Sequence, residues 1–339
     1  MKIRLVLCCS LLSMLLVSVG LYAQATATLV GTVKDPSDAA IANAQVAVIN
    51  AGKGINRTTV TNSEGEWAVA ALPSGSYDLV VTAAGFKKFE AKGVVLQVAQ
   101  KARVDVAMQV GAASTQVTVE GSAVAQVETQ SSDLGGIING KEISQLQLNG
   151  RNFTQLAGLV AGVSNQSGQD DAGVGVGGNV SFSINGGRTE YNNWELDSGD
   201  NMDNGSNTTL NVYPSLDAIA EFKVLTSNYG AQYGRNGSGT VEVETKSGTN
   251  AFHGDAYEFV RNDAFNAKTF PQTTLPSYKK NDFGYTLGGP VFIPGLYNKN
   301  KDKTFFFWSQ EWRRERVPAN LSSVVVPSLA ERRRDFFGI

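Results

Sequence analysis

Apolar and polar residues alternate along this chain in short runs separated by turns, the period of two that belongs to β-strands. Between residues 27 and 110 the runs are "TLVGTVKD", "AQVAVIN", "RTTVTN", "EWAVAAL", "SYDLVVTAAG", "GVVLQV" and "ARVDVAMQV". Turn-forming residues separate them at Asp35-Pro36, Asn62-Ser63-Glu64-Gly65, Pro73-Ser74-Gly75 and Ala84-Gly85. This pattern predicts a seven-stranded β-sandwich over residues 26–110. Trp67, Leu72, Tyr77, Leu79, Val81 and Phe86 are expected inside it, with Gly65 at positive φ. Residues 111–130 loosen into Ala, Ser, Thr, Gln and Gly and read as a linker around one extended run, "TQVTVEG". The alternative for that run is an eighth strand of the sandwich.

The period changes within "QLQLNGRNFTQLAGLVAGV", residues 145–163. Here Phe153, Leu156, Ala157 and Val160 fall on one face of a short helix that starts near Asn152 and stops at Gly162. Further on, Pro214-Ser215 opens a second short helix, with Ser215 as its cap and Leu216, Ile219 and Ala220 inward. "TVEVETKSG" then alternates strictly, Val241, Val243 and Thr245 opposing Glu242, Glu244 and Lys246. A compact mixed α/β domain is predicted over 131–248, with Phe153, Leu156, Val160 and Phe222 in its core.

From residue 249 to 339 the alternating runs become aromatic. Tyr257 and Phe259 share a face, as do Phe283, Tyr285 and Leu287, opposite Gly284, Thr286 and Gly288. "KTFFFWSQEWRRER" is more aromatic still. Outer-membrane barrel strands read this way, in segments of about ten residues. On pattern alone a soluble three-stranded sheet fits equally. The class is mainly β on either reading.

Composition narrows the chemistry. Lys2 and Arg4 precede an apolar run from Leu5 to Leu21, followed by Ala23 and Ala25, so residues 1–25 read as a secretory signal peptide. The only cysteines, Cys8 and Cys9, would leave with it. The one histidine is His253. Disulfides, cysteine nucleophiles and most zinc or Ser–His sites are thereby excluded, and no catalytic residue, metal or cofactor is assigned. A net charge of −2 gives no reason to expect nucleic acid as partner. "GVGVGG", Gly173–Gly178, has a dinucleotide-like spacing but lacks the flanking strand and helix, and reads as a loop. The acidic run Asp197–Gly205 lacks the ligand spacing of an EF-hand. Glu242 and Glu244 share a strand face about 7 Å apart, with Lys246 continuing the row and no sugar cleft evident.

Two resemblances organise these pieces. "GTVKDPSDAAIANAQVAV" and "TNSEGEWAVAALPSGSYDLVVTAAGF" resemble carboxypeptidase-regulatory-like, prealbumin-like domains, with Asn62 where that family often has Asp. Taken in order, "LQLNGRNFTQLAGLVAGV", "SINGGRTEYNNWELD", "PSLDAIAEFKVLTSNYGAQYGRNGSGTVEVETKSGTNAFHGDAYEF" and "GYTLGGPVF" with "KTFFFWSQEW" resemble the N-terminal part of Oar-like TonB-dependent outer-membrane receptors. The resemblance implies a prealbumin-like extension, then a plug over 131–248, then a transmembrane β-barrel beginning at 249. It implies an importer and not an enzyme, sited in the outer membrane of a Gram-negative bacterium with its N-terminal domains in the periplasm. Its partners would be TonB with the inner-membrane energising complex, outer-membrane lipid, and a small-molecule, glycan or peptide substrate. TonB grips by strand addition, which needs an exposed extended run near the plug's start. Thr115, Gln116, Val117, Thr118 and Val119 are the candidates. Asp197, Asp200, Asn201 and Asp203 are candidates for a substrate-facing plug loop, although Ser198 interrupts the family's "LDG" pattern there. About three barrel strands cannot close a barrel, so the chain is expected to be a fragment of a longer protein. The rival expectation is a secreted or surface-attached carbohydrate-binding β-sandwich protein.

Overall fold

A computed structural model of the chain describes residues 26–111, 115–120, 130–166, 178–268 and 277–316, with isolated positions up to residue 333. The expected signal peptide and the glycine run up to residue 177 lie outside the described residues. Two compact units are present. One holds the described residues up to Gly254 together with Thr286–Ser309; the other holds Asp255–Tyr285 with the described residues from Gln310 onward.

The first unit opens with a β-sandwich. Its strands are β1 (Ala27–Lys34), β2 (Gln45–Asn50), β3 (Ile55–Val60), β4 (Glu66–Leu72), β5 (Gly75–Thr82), β6 (Lys88–Leu96), β7 (Lys101–Arg103), β8 (Val106–Ala107) and β9 (Gln116–Glu120). One sheet runs β4-β1-β7, with β8 also on β1, and the other runs β3-β2-β5-β6-β9. The alternation seen in the sequence sets the core: Leu29, Val33, Val46, Val48, Leu79 and Val81 point inward and are fully buried. Trp67, Leu72 and Tyr77 join them, and the Tyr77 hydroxyl donates to the Pro73 carbonyl at 2.6 Å. Gly65 has a φ of +73° at its turn. Phe86 is only half-buried, because it sits in the turn before β6 while Phe89 on the strand turns inward. Among the described residues the sandwich has nine strands where seven were expected. The last predicted run is divided at Val104-Asp105, where the Asp105 carboxylate accepts from the Thr32 amide at 2.9 Å and its hydroxyl at 2.8 Å. The run read as linker supplies β9.

The mixed domain follows in the same unit. It contains β10 (Leu134–Asn139), helix α1 (Gly140–Gln145), β11 (Val163–Asn165), β12 (Phe182–Ile184), β13 (Asn193–Leu196), β14 (Gly199–Asp200), β15 (Ile219–Ser227) and β16 (Thr240–Thr245). The main sheet has the order β10-β15-β16-β13-β14, and β11 pairs with β12. A reciprocal capping box between Asn139 and Glu142 starts α1. The helix expected from Asn152 is a 3₁₀ segment, Phe153–Leu159, with the Asn152 side chain accepting from the Thr154 amide at 3.1 Å. A seven-residue stretch containing Gly158 is too short and too glycine-weakened to sustain α-helix, and 3₁₀ geometry is common in such pieces. Gly162, at φ +85°, turns the chain into β11. The second expected helix shrinks to Leu216–Ala218. Ser215 makes no cap there; its hydroxyl lies 2.9 Å from that of Ser309, and Ile219 already begins β15.

Three long strands complete the fold: β17 (His253–Asn262), β18 (Lys279–Pro290) and β19 (Phe305–Arg316), in that order in one sheet. On β18 the usual burial is inverted. Tyr285 and Leu287 are 40% and 45% exposed, whereas Lys280, Asp282 and Thr286 are buried. Trp308 and Trp312 on β19 are likewise exposed, and Phe283 stacks on Trp312 at 5.5 Å. Apolar-out, polar-in strands suit a lipid-facing surface and not a soluble one.

Candidate functional site

Four regions of the chain carry the residues to which sequence reasoning points. The first is the aromatic centre of the mixed domain. The 3₁₀ segment presents Phe153 to Trp194, Tyr213 and Phe222 with ring centroids 6.3, 5.6 and 6.4 Å apart, all edge-on. Phe153, Leu156 and Phe222 are buried, and Val160 is half-buried against the open side of Gly136. Arg151 forms an ion pair with Asp217 inside the domain.

The second region is the acidic loop. Asp197 accepts from the Thr245 amide and hydroxyl, each at 2.8 Å, which pins the loop to β16. Asp200 accepts from the Met202 amide at 3.0 Å and pairs with Arg235. Asn201 is buried and bonds Val212 through both ends of its amide, at 2.8 and 2.9 Å. Asp203 accepts from the Ser206 amide at 2.8 Å and hydroxyl at 2.9 Å, and from the Thr209 amide at 3.2 Å; the Ser206 amide leads in holding its carboxyl well below the usual range. The loop is therefore a self-bonded frame. Asp200 and Arg235 remain about two-fifths exposed at its surface. Arg235, which also donates to Asn204 at 2.9 Å, was not singled out from the sequence. Its signal was the turn-rich "YGRNGSG", where Arg235 takes a φ of +60°. Among the described residues there is no group of three or more His, Cys, Asp or Glu placed to hold a metal ion.

The third region is Thr115–Val119. It forms β9, parallel to β6, with Val117 opposite Phe89 and Val119 opposite Ala91. The Lys88 amide donates to the Thr115 carbonyl at 3.0 Å. Val119 packs on the sandwich core, and Thr118 is exposed. As the last strand of its sheet, β9 presents one strand edge with no neighbour among the described residues.

The fourth region is a row of charged residues on the main sheet. Glu221 on β15 faces Glu244 on β16, Lys223 faces Glu242, and Glu195 on β13 also faces Glu242. Alternation marked this face as polar, yet Glu221, Lys223, Glu242 and Glu244 are each less than 9% exposed. Burial pushes Glu221 and Glu242 up to about 7, and raises Glu244 and Glu195.

Comparison with known proteins agrees with this layout. Residues 28–109 match the family model "Carboxypeptidase regulatory-like domain" and residues 244–339 match "Outer membrane beta barrel domain". Over 304 residues the chain is 26% identical to the TonB-dependent transporter Oar of Myxococcus xanthus, covering 84% of this chain and 26% of that protein. The chain thus spans about a quarter of that relative's length. Among solved structures it is similar to the outer membrane transporter YddB from Escherichia coli, with a TM-score of 0.38, 14% identity, and coverage of 47% of this chain and 24% of that one. The siderophore receptor PirA from Acinetobacter baumannii gives a TM-score of 0.36, 18% identity, and coverage of 49% and 24%. A barrel domain of this kind resides in the outer membrane of Gram-negative cells, and the curated relative is a transporter, not an enzyme. The chain is a homologue of Oar-like TonB-dependent outer-membrane transporters, with a carboxypeptidase regulatory-like domain at its front and part of an outer-membrane β-barrel domain behind.

Proposed function

We propose that the complete protein imports a substrate across the outer membrane with energy delivered by TonB from the proton gradient. One observation carries this reading: the match to a TonB-dependent transporter runs through the sandwich, the mixed domain and the first long strands without changing their order. In this reading the mixed domain is the plug. Its aromatic centre makes it a solid obstruction, and the Asp200–Arg235 pair stands on a loop stiff enough to present a polar contact to substrate. The aromatic faces of β18 and β19 meet lipid, and the sandwich lies in the periplasm. A small molecule, a glycan or a peptide fits the polar loop equally.

TonB contact is assigned to Thr115, Gln116, Val117, Thr118 and Val119. Their extended backbone and the exposure of Thr118 support it, since strand addition requires an accessible extended run. Removing residues 115–121 from the complete protein is expected to reduce its retention on immobilised periplasmic TonB domain by at least about tenfold, the loss of a short main-chain ladder of roughly 1–2 kcal/mol or more. Undiminished retention would move the contact elsewhere.

A further inference from the structure

The charged row on β15 and β16 is closed off by one end of the sandwich. The β6–β7 turn meets Glu221 and Lys223: the Val98 amide donates to the Glu221 carboxylate at 2.9 Å, and the Lys223 ammonium donates to the Val98 carbonyl at 3.3 Å. Two other turns meet Glu244. Ser74, between β4 and β5, hydrogen-bonds its carboxyl, and Lys53, after β2, lies near enough to act on it while donating to the Ser74 carbonyl at 2.8 Å. Beyond β16, the Asn250 amide donates to the Gly52 carbonyl at 2.8 Å. Three turns from one end of the sandwich therefore close on one row of side chains.

We propose that this contact is a proton-controlled latch, in which the sandwich docks on the mixed domain while the row's carboxyls are protonated and loosens as they ionise. The charges around the row make the case. Glu221, Glu242 and Glu244 stand on adjacent strands, Glu195 faces Glu242 from β13, and Asp197 acts on Glu244. Against these acids the row holds Lys223 from its own sheet and Lys53 from the sandwich. The hydroxyl of Tyr233 bonds Glu242, and Tyr77 lies close to Glu244; neither brings positive charge. One oxygen each of Glu242 and Glu244 is buried with no hydrogen-bond partner among the described residues. An ionised carboxylate in that position is costly, and a protonated one much less so.

The direction of the effect follows from linkage. The usual glutamate value is 4.5, and burial lifts Glu221 and Glu242 to about 7. A carboxyl raised by docking favours the docked state fully below the lower value, and that contribution is lost as pH climbs through the higher one. Each such carboxyl weakens docking about tenfold per pH unit across the window.

Hydrogen exchange at the Val98 amide in the 339-residue chain, corrected for intrinsic rate, tests the latch. Protection at Val98 is expected to fall about 100-fold or more between pH 5 and pH 7, while amides of β5 keep theirs. The triple variant Glu221→Gln, Glu242→Gln and Glu244→Gln is expected to stay protected at both pH values. Protection in the parent chain that does not change with pH would overturn the proposal. So would a triple variant that still loses protection, or loss at β5 in step with Val98, which would report sandwich unfolding instead.

Discussion

Phe153→Ala is expected to destabilise the mixed domain by about 3–5 kcal/mol, the range for deleting a buried aromatic ring. The ring is 1% exposed and touches three other aromatic rings edge-on, so its removal leaves a cavity whose walls are themselves large and fixed. Edge-on pairs add roughly 0.5–1.5 kcal/mol each beyond their buried area, and three would be lost together. A domain stable by about 5–15 kcal/mol would be left near its limit. Leu159→Ala, at the far end of the same 3₁₀ segment, supplies the control: Leu159 is 58% exposed, and a change within about 0.5 kcal/mol is expected. The measurement is urea-dependent hydrogen exchange at β15 amides. A Phe153 variant within 1 kcal/mol of the parent would show that Trp194 and Phe222 close the gap themselves.

These residues also show what the sequence reveals and where it stops. Phe153, Leu156 and Phe222 were legible as core because local periodicity chooses the inward face before tertiary structure forms. The type of helix was not. Four apolar positions over so short a segment fit α and 3₁₀ geometry alike, and brevity together with Gly158 favours the latter. Glu242 and Glu244 were legible as one polar face, since alternation is a property of the strand alone; that Glu221 joins them was not. Their burial was hidden because the groups that meet the row, Val98 at Glu221 and Ser74 at Glu244, lie more than a hundred residues away in sequence. β9 stayed open between linker and sandwich strand for a related reason. "TQVTVEG" reads as extended in isolation, and only the neighbouring β6 edge makes it a sandwich strand. In the acidic loop the sequence shows where the carboxylates stand but not that Asp197 and Asp203 hold the chain's own amides.

Gly31 was equally invisible in the sequence, and its replacement carries the second large effect. Glycine in the middle of β1 would read as a weak spot, costing entropy without offering a side chain to pack. In the sandwich it lies opposite Trp67, and a Cβ added there would stand 1.8 Å from the Val104 carbonyl oxygen and 3.0 Å from the indole. That carbonyl belongs to the backbone just past β7, whose Val104 amide donates to the Val30 carbonyl at 2.8 Å, so it cannot retreat without opening the sheet. Gly31→Ala is therefore expected to cost about 3 kcal/mol or more, at or beyond the upper end for overpacking, with the loss seen in β1 and β7. Gly85→Ala separates this cause from ordinary glycine strain. Gly85 has a φ of +84° but, among the described residues, nothing within 4 Å of an added Cβ, so its replacement should cost only about 1 kcal/mol, from backbone strain alone. Hydrogen exchange of the β1 amides in the two variants decides the matter. If Gly31→Ala proves no more costly than Gly85→Ala, the sheet can shift by more than an ångström at β7, and close backbone approach is not what requires glycine at that position.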